Sequence, residues 1–148
     1  EGPLAAAGEA LAHLWQSVLA IVVTFGTTLT LWPVIPGLTC LNADPDADAT
    51  LRSWWFELVI FTFNLCDFLG KSETRSLTWG AKVLSPGGQL ICALLRGGIF
   101  LPLMLTASAP QVYEPTTARW VSLMAVALLG LSNGWLSTVC FMRGPTVL

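Results

Sequence analysis

Charge is scarce in this sequence. Only 11% of its 148 residues are Asp, Glu, Lys or Arg, where a soluble domain carries roughly 25%. Seven Lys and Arg against nine Asp and Glu give a net charge of −2, which leaves no basic surface to hold a phosphate backbone in water. A nucleic acid polymer is thereby excluded as a partner. Histidine is limited to His13, and the four cysteines, Cys40, Cys66, Cys92 and Cys140, lie 26 or more residues apart. Neither a metal-ligand spacing nor a disulfide framework follows. The chain opens on Glu1 with no basic segment ahead of its first apolar run, so that run is not read as a secretory signal peptide. The expectation is a piece of a longer protein.

Apolar length, by contrast, is plentiful. Hydrophobic residues make up 54% of the chain and the mean hydropathy is +0.69. A spanning helix needs about 20 predominantly apolar residues, and four stretches qualify, at about 11–35, 53–78, 89–108 and 119–141. The sequence therefore predicts an all-α, multi-pass membrane protein with four transmembrane helices. Pro33, Pro36 and Gly37 predict the end of the first span, because proline lacks the N–H that a helix interior needs. Residues 36–52, with Asp44, Asp46 and Asp48 around Pro45, read as an acidic, solvated outer loop. Ser85-Pro86-Gly87-Gly88 reads as a turn, and Pro102 predicts a kink in the third span. Gly130 and Gly134, four residues apart in the fourth span, would let two helix backbones approach closely. The turn at 79–88 and its flanks hold Lys71, Arg75 and Lys82, while the 36–52 loop holds only Arg52 and is acidic. The positive-inside rule puts that turn in the cytosol, and by alternation both chain ends as well.

Several polar residues in these spans need a reason to be there. A charged side chain at the bilayer centre costs about 2.5–3.5 kcal/mol on insertion scales, so Asp67 should face protein or water. At helical spacing it shares one face with Asn64, Lys71 and Thr74, and Lys71 follows it by four residues, the spacing of a helical ion pair. The residues alone leave two readings open: a self-neutralising pin between helices, or a lining for a substrate path. Arg96, seven residues into the third span and close to its cytosolic end, could pair with an acid, but its position favours snorkelling to lipid headgroups. Glu57 reads as a surface residue in the first turn of the second span. Thr24, Thr27, Thr28 and Thr30 can return their hydroxyls to carbonyls one turn back, which assigns them to packing. His13 reads as interfacial, and the tryptophans, Trp135 excepted, sit near span ends as membrane anchors.

Taken together, Phe63-Asn64-Leu65-Cys66-Asp67-Phe68-Leu69-Gly70-Lys71-Ser72, then Leu95-Arg96 with Phe100-Leu101-Pro102-Leu103, then Leu131-Ser132-Asn133-Gly134-Trp135, resemble the equilibrative nucleoside transporter family. The resemblance covers nearly the whole chain. It implies a partial major-facilitator-like bundle equivalent to the seventh to tenth of the family's eleven helices, with the remaining helices of the parent chain as partners. It implies facilitated diffusion of nucleosides or nucleobases, no bound cofactor, and a place in the plasma membrane. By the same resemblance Asp67 and Lys71 bind substrate, with Asn64 of the same polar stripe as a further candidate, while Arg96, Asn133 and Gly134 are gating or structural positions. Lys71 departs from the family's usual arginine, and an ammonium does not replace a planar five-donor fork. The rival classes fit less well. A tetraspan scaffold usually has a cysteine-stapled outer domain where this chain has only Cys40. An intramembrane enzyme would need a nucleophile and base, for which one histidine leaves little material.

Overall fold

The computed structural model describes residues 3–43, 49–76, 84–109 and 111–143. They form α1 (Pro3–Leu31), α2 (Val34–Ala43), α3 (Ala49–Ser76), α4 (Pro86–Ser108) and α5 (Pro115–Arg143), and no strand occurs among them. Three stretches are long and apolar enough to cross a membrane, Leu14–Thr39, Pro86–Ser108 and Pro115–Met142. The second expected span, α3, has 28 residues, about 42 Å at 1.5 Å per residue, but is less apolar than the other three. Its polar residues include Asp67 and Lys71.

The first span does not stop at its prolines. It breaks at Trp32-Pro33 and resumes as α2 through Pro36 and Gly37. Pro36 lies in the first turn of α2, where an N–H has no intrahelical acceptor and its loss costs nothing. The expected outer loop at 36–52 shrinks accordingly, because α2 runs to Ala43 and α3 begins at Ala49; Asp44, Pro45, Asp46 and Asp48 lie outside the described residues. The earlier start of α3 also puts Glu57 two turns into that helix rather than in its first turn. Pro86, Gly87 and Gly88 belong to α4 and not to a turn. Ser85 caps this helix in an extended conformation, its hydroxyl accepting from the Gly88 N–H at 3.2 Å, with Pro86 at the first position.

Cross-helix contacts fix the directions. Along α1 and α4, Ser17 meets Gln89, Thr24 meets Arg96 and Thr27 meets Gly97, in rising order on both helices. Phe63 and Asp67 of α3 face Gly130 and Gly134 of α5 in the same sense. The two pairs are each parallel, and they run against one another: Thr28 and Thr39 meet Asn133 and Ser122 in reverse order. This is the arrangement that four alternating passes require.

The interior is layered. One apolar cluster joins Leu31, Val59, Phe63, Phe100, Met104 and Leu129, with Trp32 stacked on Phe63 at 4.4 Å between ring centroids. The other joins Ala20, Ala93, Leu136 and Cys140. Between them on α1, α4 and α5 lies a polar layer of Thr24, Thr28, Arg96, Ser132 and Asn133.

Candidate functional site

Asp67 on α3 is joined directly to Lys71, one turn further along the same helix. The lysine is 50% exposed and the aspartate 14%. Asn133 of α5 donates to the other carboxylate oxygen, Nδ2 to Oδ1, at 2.7 Å. These three can meet because Gly70, Gly130 and Gly134 bring the α3 and α5 backbones together. A Cβ on Gly130 would lie 2.7 Å from the Phe63 carbonyl oxygen. One on Gly134 would collide with the Asp67 carbonyl and lie 2.9 Å from the Lys71 nitrogen. The four-residue glycine spacing thus performs the close approach expected of it, and it does so beside the charged pair.

Arg96 does not snorkel. It is the eleventh of 23 residues in α4, which places it about 15 Å from one helix end and about 18 Å from the other, and it is 5% exposed. The later start expected for the third span had displaced it toward the membrane surface. Its guanidinium is held inside: Nε donates to Ser132 Oγ at 2.8 Å, Nη1 to the Thr24 carbonyl at 2.8 Å, and Nη2 to Thr28 Oγ1 at 2.8 Å and the Leu129 carbonyl at 2.9 Å. Thr28 in turn donates to Asn133 Oδ1 at 2.8 Å. Arg96 is thereby connected to Asp67 through two intervening side chains.

The expected site residues are therefore sorted. Asp67, Lys71, Asn133 and Gly134 come together. Asn64 stands exposed one turn earlier and turns its amide to the Ile60 carbonyl at 2.9 Å, so no hydrogen bond links it to the pair. Thr30 returns its hydroxyl to Gly26 as expected, whereas Thr28 also serves Arg96 and Asn133. The assignment of Thr28 to packing was incomplete. A signal was available: an asparagine and an arginine deep in apolar spans must each find partners, and Thr28 is a polar residue at matching depth in another span. The side chains of His13 and Thr74 lie outside the described residues.

The arrangement offers hydrogen-bond acceptance more than reactivity. Each Asp67 oxygen has one donor within the bundle and retains a further lone pair. The family described as Nucleoside transporter matches residues 6–148. This chain belongs to that family. It is 25% identical over 139 residues to equilibrative nucleoside transporter 2 of Homo sapiens, covering 89% of this chain and 28% of that protein. It is 30% identical over 135 residues to equilibrative nucleoside transporter 1 of Homo sapiens, covering 87% and 28%. Against equilibrative nucleotide transporter 8 of Arabidopsis thaliana it is 29% identical over 133 residues, covering 84% and 29%. The chain thus spans less than a third of the length of these relatives. No solved structure is a significant match.

Proposed function

We propose that this chain forms one wall of the substrate path in a longer transporter that moves nucleosides or nucleobases by facilitated diffusion. The observation that carries the reading is the Asp67 carboxylate, fixed by Lys71 and Asn133 on one side and 14% accessible on the other. A nucleoside presents ribose hydroxyls and base N–H groups, donors that suit such an acceptor. Asn64, exposed one turn away, supplies a second polar contact. Family membership and the names of the relatives support the substrate class. Alternating access would rock this bundle against helices beyond the chain, with the α3–α4 connection cytosolic and the transporter in the plasma membrane.

A hydrogen bond to a charged group is worth about 1.5–3 kcal/mol net, or roughly 10- to 150-fold in affinity. In the full-length transporter, Asp67→Asn should raise the half-saturation concentration by that factor or abolish uptake, while protein still reaches the surface. Lys71→Arg should retain substantial uptake and Lys71→Ala should not. A structural pin would act differently, reducing the amount of surface protein and leaving the half-saturation concentration of the surviving molecules unchanged. Initial rates normalised to surface protein separate the outcomes, and an unchanged value in Asp67→Asn removes the binding role.

A further inference from the structure

Arg96 is a buried cation with no carboxylate in direct contact among the described residues. Its partners are two carbonyls and two hydroxyls, and the hydrogen-bonded path from it to Asp67 runs through Thr28 and Asn133. The direction of each link on that path is determined by chemistry. Arginine has five donors and no acceptor, and an ionised carboxylate has only acceptors. Thr28 therefore receives the Nη2 proton of Arg96 at 2.8 Å and has one proton of its own to give. Two acceptors lie within its reach, the Thr24 carbonyl at 2.9 Å and Asn133 Oδ1 at 2.8 Å. The Thr24 carbonyl already accepts from Arg96 Nη1 at 2.8 Å, whereas among the described residues Thr28 is the donor to Asn133 Oδ1. Asn133 is 4% exposed, and its oxygen would otherwise be buried without a partner. With Oδ1 turned to Thr28, Nδ2 points at Asp67.

Every link thus runs one way, from an obligate donor at Arg96 to an obligate acceptor at Asp67. Reversing the Asn133 amide would set its NH2 group toward the Thr28 hydroxyl and its oxygen against the Asp67 carboxylate, so the amide is locked. We infer that Arg96 and Thr28 are positioning residues for the Asp67 carboxylate, acting through Asn133 to set affinity for the permeant. This rests on the reading of Asp67 as the permeant's acceptor. The relay crosses three helices, α4 to α1 to α5, before reaching α3, so the acceptor geometry on α3 depends on how the α1–α4 pair sits against the α3–α5 pair.

The test cuts the relay at its middle. In the full-length transporter, Thr28→Val removes the hydroxyl at nearly constant shape and leaves Arg96, Asn133, Asp67 and Lys71 in place. With adenosine or uridine as the permeant, whichever the unmodified protein takes up, Thr28→Val should raise the half-saturation concentration about tenfold, the equivalent of about 1.4 kcal/mol. The maximal rate per surface molecule should be nearly unchanged, and Thr28→Ser should restore the normal value. Ser17→Ala, which cuts a hydrogen bond across the same α1–α4 pair away from the relay, should leave the half-saturation concentration as it was. Nucleoside binding to purified protein counts folded molecules only, so a poorly expressed Thr28→Val still reports. If Asp67→Asn weakens binding while Thr28→Val does not, or if Thr28→Val and Ser17→Ala shift it equally, the relay is overturned. If Asp67→Asn leaves binding unchanged, the reading of Asp67 falls first and the relay's role with it.

Discussion

The two parallel helix pairs of this bundle are held together by opposite means. Between α3 and α5 the contact is one of shape: three glycines remove side chains so that backbone meets backbone, and the cross-helix polar contact described there is Asn133 to Asp67. Between α1 and α4 it is one of polarity. Ser17 donates to Gln89 at 2.8 Å, Arg96 reaches Thr24 and Thr28, and the glycines at the seam, Gly87 and Gly97, face the Gln16 and Thr27 side chains rather than a backbone. In a bilayer, lipid tails are as apolar as leucine, so helices associate through close packing or hydrogen bonds. This chain uses one solution for each pair. The pair built on shape carries the accessible carboxylate, and the pair built on polarity buries the arginine connected to it.

The contrast makes unequal demands on substitutions, and the sharpest should fall on α5. Gly134→Ala puts a methyl into the Asp67 carbonyl and against the Lys71 nitrogen. Backbone cannot rotate away as a side chain can, so the helices must separate. Overpacking of this kind costs about 3 kcal/mol. Gly134→Ala should therefore deplete folded full-length protein, read as a lowered melting temperature in detergent and loss of surface signal; an unchanged melting temperature would mean that α3 and α5 do not touch as described.

A smaller loss is expected from Ser17→Ala. Gln89 is fully buried, its Nε2 has no partner, and Ser17 is the donor to its oxygen. Removing that donor strands the whole amide, at about 1 kcal/mol by the usual scale for hydrogen bonds within membranes. Thermal unfolding of the same purified protein measures it, and a loss as large as that of Gly134→Ala would erase the distinction between the two pairs.

Gly97→Ala should matter least. Its Cβ would lie 3.2 Å from Thr27 Oγ1, an atom that moves with a χ1 rotation, and alanine recovers about 0.5–1 kcal/mol of helix propensity over glycine. The net change should stay within about 0.5 kcal/mol. A loss matching Gly134→Ala would show that α1 and α4 also meet at backbone distance.

Element boundaries illustrate where reading the sequence fell short. Pro33 marks a break that the sequence shows, but Pro36 reads as a second stop only while the start of α2 at Val34 is hidden. The same proline that ends a helix is harmless three residues into one. Ser85 and Pro86 have the composition of a turn, yet together they are a helix start, a cap followed by proline at the first position. Reading a turn there moves Arg96 from mid-helix toward the membrane surface and produces the snorkelling assignment.

What the sequence determined by itself is what depends on one helix at a time. The apolar lengths, the Asp67–Lys71 pair at four-residue spacing and the Gly130–Gly134 step are set by the 3.6-residue repeat, which is a local property of the chain. The partners of Arg96, Thr28 and Asn133 could not be read this way. Arg96 finds Thr28 across 68 positions, Thr28 finds Asn133 across 105, and Asn133 finds Asp67 across 66. Each of those separations joins different helices, and any polar group in an apolar span can be satisfied by many candidates of equal chemistry. Only the packing of α1 on α4, of α3 on α5 and of these two pairs on each other, set by side-chain volume and glycine gaps summed over whole interfaces, selects among them.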